Sequence, residues 1–244
     1  MKIYGMESPD SSRKRLSRSI EACLANGQRL VDESYDIEFR EPTSTRFYLL
    51  IIAQEEAAKA FILHLVRDGV VPLSKEIRRA MNDHVCKQLV GILMDYLVLR
   101  WVSMEELEAK VRRDFELGDL FPQDIGSALE IFAYEKVQRW QSNTWVWDKD
   151  PNYDPAIHKL ADGARDRQKQ NALYVGIGGD GGVVSLPGKV TAEDTVAELE
   201  KARDYIRLVN SISQGEVLGD AFRLKKLVKA LRTIFGTTKE HPYD

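Results

Sequence analysis

The chain of 244 residues is long enough for one large domain or two small ones, each with a full core. Hydrophobic residues make up 43% and charged residues 30% of the chain, which excludes an intrinsically disordered protein. A formal net charge of −3 excludes a globally basic coat for nucleic acid, although a local basic patch remains compatible with it.

Apolar periodicity predicts a succession of helices along the chain. The first begins near Ser11 or Ser12, and the second covers residues 45–68 and stops at Gly69, a residue type that favours a helix end. A short helical segment follows at residues 77–80. The later predicted helices begin near His84, cover residues 104–115, 125–140 and 156–170, run from Thr191 to Gly215, and cover residues 216–235.

The helix that begins near His84 is apolar over more than one face. One stripe and its adjoining positions carry Val85, Leu89, Ile92, Tyr96 and Leu99, then Leu93, Leu97 and Val98. Such a wide apolar surface is typical either of the centre of a helical bundle or of an oligomer interface. A two-fold dimer is the usual outcome in the second case.

A glycine-rich turn lies between two short apolar runs, at residues 172–175 and 182–186, and predicts a small β-hairpin. The glycine spacing is similar to that of a phosphate-binding loop, but an extended segment follows it instead of a helix. We therefore predict a mainly α fold. A helical domain covers residues 1–215 and includes the hairpin near 172–187, and an amphipathic helix with a tail covers residues 216–244.

The sequence contains neither a signal-peptide pattern nor a membrane-spanning stretch, which bears on the cellular compartment. Residues 1–7 have no apolar core of the signal-peptide type, and the longest strictly apolar stretch, residues 47–53, is far shorter than the roughly 20 residues of a membrane span. Cys23 and Cys86 form neither a C-x-x-C pair nor a metal-ligand spacing. We expect a cytoplasmic protein with reduced, buried thiols and no membrane contact.

The second predicted helix carries a charged cluster, residues 54–59, between two apolar flanks. Glu55 and Glu56 are both spaced to pair with Lys59, so one carboxylate is left without a cation on its own helix. Two explanations fit: a solvated stripe with one ion pair, or a carboxylate that orients a cationic group from a neighbouring helix. We favour the second because charges between such flanks are costly unless they are paired.

A second candidate site lies at the turn before the next long helix. If that helix begins at Asn82 or Asp83, His84 lies in its first turn, where the helix dipole favours the neutral imidazole and keeps it available as a base. Arg78 or Arg79, a few residues upstream, is placed to stabilise an anionic phosphorane. Proton transfer by histidine and charge stabilisation by arginine suffice to cut RNA without a metal.

No metal site and no cofactor are predicted. His64 and His158 are interpreted as isolated histidines, because we recognise no set of metal ligands around either of them in the sequence.

Three segments of the chain resemble a known family, the AbiV-type abortive-infection proteins of the HEPN superfamily. Residues 49–60, with Glu55, Glu56 and Lys59, are similar to that family's "EE-x-x-K" helix. Residues 84–87 are similar to its His-x-x-Lys, which here ends in Lys87, and residues 167–175, followed by a turn and a proline, resemble its basic "LYV" hairpin. The resemblance covers residues 12–214, and the final helix lies outside it.

The resemblance implies a HEPN-like helical bundle, commonly a homodimer, that acts in bacterial defence against phage. Many HEPN proteins are metal-independent RNases with an Arg-x4–6-His motif, and both Arg79 and Arg78 have the required spacing to His84. The implied product is RNA with 2′,3′-cyclic phosphate ends. Glu55 or Glu56 is expected to hold the catalytic arginine. The family usually has a polar residue after that arginine, which holds for Arg78 only.

The resemblance also implies a set of partners: an RNA substrate, a second copy of the chain, and a phage-encoded activator or a cognate antitoxin. Residues with an RNA-binding or supporting role are expected in the matched segments, namely Lys59, Lys87, Arg167, Lys169 and Tyr174. The alternative is a non-catalytic HEPN protein that dimerises and binds a phage or host protein through the apolar face of the His84 helix. A third hypothesis is nucleotide binding without turnover.

Overall fold

A long antiparallel helix pair forms one side of the molecule. The computed structural model describes residues 9–100, 103–142, 151–216 and 221–237. Helix α1 (Pro9–Asp36) packs along α2 (Ser44–Arg67), and the ion pair of Arg13 with Asp68, at 3.8 Å, joins the start of α1 to the end of α2. Helix α2 also contacts α10 and α4, and most of its apolar residues are buried, while Leu49 and Ile52 are partly buried.

The other helices are, in chain order, α3 (Lys75–Asn82), α4 (His84–Val98), α5 (Met104–Leu117), α6 (Gln123–Glu130) with a π-helical continuation (Ile131–Gln138), α7 (Arg139–Gln141), α8 (Pro155–Ala161), α9 (Ala164–Asn171), α10 (Ala192–Gln214) and α11 (Ala221–Phe235). Strand β1 (Gly176–Ile177) pairs antiparallel with β2 (Val183–Ser185), and a 3-10 turn (Pro187–Lys189) leads into α10. The predicted mainly α fold with a small hairpin is confirmed.

Helix α4 lies at the centre of the bundle. Leu89, Val90, Leu93, Met94 and Leu97 are almost fully buried, and the helix packs against α2, α6, α8 and α10. Its wide apolar surface is therefore covered within the molecule. Of the two explanations that the sequence allows for this surface, packing at the bundle centre is the one observed.

Local chemistry fixes the helix ends much as the sequence predicts. Asp83 caps α4, because its side chain accepts a hydrogen bond from the Cys86 amide at 2.9 Å. Thr191, where the sequence predicts the start of this helix, forms a capping box of α10 with Asp194, and the helix ends at Gly215 in the left-handed conformation.

Two predicted elements differ from the structure. The single helix expected over residues 156–170 is divided into α8 and α9, because Gly163 adopts a φ of +81° and interrupts the helical backbone. The expected strand at residues 172–175 is wrong: α9 continues through Asn171, a turn follows, and pairing begins only at Gly176. A Cβ atom at Gly176 would lie 2.3 Å from the Ser185 hydroxyl, so a larger residue there would have to displace the Ser185 side chain.

Three further findings bear on the sequence predictions. Cys86 is buried, whereas Cys23 is only half-buried. Helix α11 packs against α4, and its Arg223 side chain donates a hydrogen bond to Asp114 of α5 at 2.6 Å. The predicted last helix also includes residues 217–220, which lie outside the described residues. Within the described ranges, no helix is both long enough and apolar enough to cross a membrane.

Candidate functional site

The leftover carboxylate of α2 is that of Glu55, which is only 3% exposed. Its Oε2 atom lies 2.6 Å from Nδ1 of His84 and 3.0 Å from the Lys87 ammonium, both on the first turn of α4. Its Oε1 atom accepts a hydrogen bond from the Lys169 ammonium of α9 at 2.9 Å. One buried carboxylate thus connects three helices, and Gln88 approaches it at 3.4 Å.

The charge balance keeps this carboxylate ionised. Burial by itself raises the pKa of Glu55, but the ammonium groups of Lys87 and Lys169 outweigh that effect, and the pKa is lowered from its ordinary value of 4.5. For Lys169 burial has the opposite sign and by itself lowers the pKa. Hydrogen bonds and charge attraction from Asp166 and Glu55 outweigh burial, so the pKa of Lys169 is raised above its ordinary value. At neutral pH the site therefore contains a carboxylate and an ammonium in direct contact.

The contacts of Nδ1 assign the tautomer of His84. Because Glu55 is an ionised acceptor, we assign the ring proton to Nδ1, which donates to Oε2 of Glu55. The Lys169 ammonium, 2.9 Å from the same Nδ1, then acts as a second donor to the shared carboxylate. In this neutral tautomer the lone pair belongs to Nε2, and the His84 side chain is 48% exposed. A histidine held in this way is a solvent-reachable base.

The Lys169 ammonium occupies the place that a metal ion would take. One ligand atom each from Glu55, His84 and Asp166 lies within 4.8 Å of the others, which is the spacing of a possible three-ligand metal site. The ammonium contacts all three residues, at 2.9 Å from Glu55 and from His84 and 2.8 Å from Asp166. With Lys87 also at Glu55, the positive charge already present opposes a divalent cation.

The two arginines of the predicted motif do not reach this carboxylate. Arg79 lies over the Trp140 ring at 4.1 Å, in a cation–π contact. Arg78 is exposed, and among the described residues we find no side-chain partner for it. The expectation that a carboxylate of α2 orients an arginine is therefore not met: Glu55 instead binds His84, Lys87 and Lys169.

The second carboxylate of the cluster has the local partner that its spacing predicts. Glu56 pairs with Lys59 at 2.5 Å, and both side chains are partly exposed. Among the described residues this pair does not contact His84 or Glu55, so Glu56 and Lys59 lie beside the candidate site and not within it.

Gln54, Arg165 and Glu198 form a network of polar side chains next to the site. Gln54 and Arg165 both bind the Glu198 carboxylate, at 2.7 and 2.6 Å, and Arg165 also donates to the Gln54 side-chain oxygen at 3.0 Å. This network connects α2, α9 and α10 one residue away from Glu55. Because α9 carries both Arg165 and Lys169, the same network positions the helix that supplies the ammonium.

Sequence reasoning missed Asp166, Gln88 and Arg165. The i, i+3 spacing of Asp166 and Lys169 on one predicted helix is a local signal that could have identified the first of these. The other two contact residues far away in the chain, at separations of 33 or more, and helical periodicity cannot reveal such contacts.

Other predicted supporting residues lie away from Glu55. Tyr174 is 66% exposed beside the hairpin, and Arg167 is exposed and donates to the Asp162 backbone carbonyl at 2.7 Å. His64 and His158 are not isolated as expected: each has an aspartate at i+4, with the closest atoms at 3.3 Å. Among the described residues, neither belongs to a cluster of three metal ligands.

Comparisons with known proteins agree with the resemblance. A family model described as AbiV, of the HEPN type, matches residues 15–207, which is well over half of the chain. No curated protein and no solved structure matches the chain. The matched residues include the whole of α2, α4 and α9, the three helices that meet at Glu55. The chain therefore belongs to the AbiV family of abortive-infection proteins of the HEPN type.

Proposed function

We propose that the protein is a metal-independent endoribonuclease that acts as an effector of abortive infection against phage. The observation that carries the proposal is the contact of His84 Nδ1 with the buried, ionised carboxylate of Glu55 at 2.6 Å. Because this contact uses Nδ1, the Nε2 atom is available to act as a general base. The His84 side chain is 48% exposed, so an RNA substrate can reach it.

In the proposed reaction, Nε2 of His84 takes the proton from a ribose 2′-hydroxyl. The 2′-oxygen then forms a bond to the adjacent phosphorus, and the bond from phosphorus to the 5′-oxygen of the next nucleotide breaks. The imidazolium returns its proton to that leaving oxygen, so the products are a 2′,3′-cyclic phosphate and a free 5′-hydroxyl. Glu55 stabilises the imidazolium, as the buried carboxylate does in other carboxylate–histidine pairs.

The proposed site also needs a cation that is free to contact the substrate. Lys87 and Lys169 are buried, and their ammonium groups are engaged by Glu55. Arg78 is exposed and has no side-chain partner among the described residues, whereas Arg79 is held against Trp140. We therefore assign the stabilisation of the phosphorane to Arg78 and a structural contact to Arg79.

The test is RNA cleavage by the purified protein and its His84→Ala variant. We expect the variant to lose about a hundredfold or more of the cleavage rate, as is typical when a general base is removed. His158→Ala is the matched control, because this histidine is also exposed and also pairs with a carboxylate, that of Asp162 at 3.3 Å. It should cleave at the unmutated rate.

Full cleavage by His84→Ala would contradict the proposed mechanism. Absence of cleavage by the unmutated protein on every RNA, together with an effect on phage growth that survives His84→Ala, would favour the non-catalytic alternative. A homodimer and a phage-encoded activator or cognate antitoxin remain part of the proposal.

A further inference from the structure

A wide pocket lies on the far side of α9 from His84. It has a volume of about 490 Å³ and is enclosed by α9, the second strand of the hairpin, the 3-10 turn and the start of α10. This volume is within the range of pockets that hold small organic ligands. Its lining includes Arg167, Gln168, Asn171, Val184, Leu186 and Lys189.

Helical geometry places the pocket and the catalytic pair on opposite faces of one helix. At about 100° per residue, Asp166 and Lys169 project toward Glu55 and His84, while Arg167, Gln168 and Asn171 project to the opposite side. A helix with its side chains is about 10–12 Å thick. A short piece of single-stranded RNA is therefore long enough to pass from His84 around α9 into the pocket.

The lining has the chemistry of a nucleotide subsite. Arg167 and Lys189 are exposed cations, and neither has a carboxylate partner among the described residues. Asp194, which also lines the pocket, is engaged by the backbone amide and hydroxyl of Thr191. Two exposed cations are thus available for phosphate groups.

The remaining lining suits a base. Val184 and Leu186 are 63% and 55% exposed and provide an apolar wall against which a base can pack. Gln168 and Asn171 present amide groups at the same opening, and an amide can both donate to and accept from a base edge. Ser185 donates to the Asn171 side-chain oxygen at 3.3 Å, which directs the Asn171 amide nitrogen away from Ser185.

We propose that the pocket between α9 and the hairpin is a subsite for a nucleotide that flanks the cleaved bond in single-stranded RNA. This inference rests on the proposed function, because it assigns the substrate's path away from His84. It also gives the hairpin a role: β2 and Leu186, which follows it, supply the apolar wall of the subsite.

The test measures RNA binding in full-length protein that carries His84→Ala and so leaves RNA intact. The probe is a fluorescent single-stranded RNA of about eight nucleotides, a typical length for a single-stranded site. The double variant Arg167→Gln/Lys189→Gln should raise the Kd at least about tenfold, because it removes two phosphate contacts.

The matched control is Lys14→Gln/Arg18→Gln, which changes the net charge equally. Both residues are exposed in the first half of α1, beside the end of α2. The pocket instead adjoins the start of α2, where the Ser44 hydroxyl donates to the Pro187 carbonyl. The control should leave the Kd unchanged within twofold. An equal loss in both double variants would show non-specific attraction and overturn the subsite.

Gln168→Leu tests the base contact without any change in charge. We expect a severalfold rise in Kd with an unchanged dependence of Kd on salt concentration, because no phosphate contact is lost. Wild-type affinity in both Gln168→Leu and the double variant would remove the subsite even if the protein cleaves RNA. If RNA binds as proposed but is never cleaved, the catalytic proposal fails and the subsite stands.

Discussion

At the scale of single residues, Glu55 has a role that the sequence indicated only in part. The apolar flanks of residues 54–59 correctly indicated a buried carboxylate that needs a cation from elsewhere, because burial without a partner is too costly. They could not identify that cation. The partners are His84, Lys87 and Lys169 on two other helices, and a contact across 114 residues has no periodic signal in the sequence.

The first prediction concerns Glu55→Gln. Lys87 loses its carboxylate partner and Lys169 keeps only Asp166, so the free energy of unfolding at neutral pH should fall by about 3 kcal/mol. RNA cleavage should fall about a hundredfold or more, because an amide does not fix the ring proton on Nδ1 of His84. Urea unfolding and cleavage assays measure the two effects. Glu56→Gln, at the partly exposed neighbouring pair, is the control and should cost less than about 1 kcal/mol.

The second prediction concerns acid. Because the pKa of Glu55 is lowered in the folded protein from its ordinary 4.5, its ion pairs stabilise the fold above that pH. This stabilisation should be lost progressively as the pH falls below about 4.5 toward the folded value. The unmutated protein should therefore lose more stability than Glu55→Gln between pH 7 and the acid range. Parallel stability curves for the two proteins would contradict the assignment.

The third prediction concerns Lys169→Ala. Removal of the ammonium leaves Glu55, His84 and Asp166 around an empty space with the spacing of metal ligands. Zn²⁺ should then raise the Tm of the variant, because a metal that binds only the folded state stabilises it. The unmutated protein should show no such increase. A Zn²⁺ response of equal size in both proteins would show that Lys169 does not occupy that place.

At the scale of helices and strands, the sequence predicted element identity better than element contacts. The caps at Asp83 and Thr191 and the stop at Gly215 follow from local chemistry, so they were predictable. The division at Gly163 was not, because a glycine within a polar helical pattern is often tolerated. That division orients α9, and α9 carries both Arg165 and Lys169.

The fourth prediction follows from that division. Gly163→Ala places a Cβ atom at a φ of +81° and should cost about 1 kcal/mol, or about 2–4 °C in Tm for a chain of this size. Because Gly163 begins α9, the cleavage rate should fall as well. Gly188→Ala is the control, since nothing lies within 4 Å of its Cβ position and its φ is not positive. Equal Tm values for the two variants would contradict the role of Gly163.

At the scale of the whole molecule, the apolar face of α4 is buried in the bundle, so a substitution there cannot test whether this face binds a second copy or a partner protein. Leu93 is 1% exposed inside the bundle, so a charge placed there reports on folding and not on a dimer or a partner protein. One group of exposed apolar side chains lies on the hairpin, at Ile177, Val183 and Val184, each more than 60% exposed. The family match covers α2, α4 and α9, and these three helices meet at Glu55. The proposed function is therefore assigned to residues of these helices.

The most direct measurement is the chemistry of the RNA ends that the unmutated protein produces in the presence of EDTA. The account predicts undiminished cleavage, with 2′,3′-cyclic phosphates on one side of each break and 5′-hydroxyls on the other, because His84 activates the neighbouring 2′-oxygen without a metal. Products with 3′-hydroxyl and 5′-phosphate ends, or cleavage that EDTA abolishes, would contradict it.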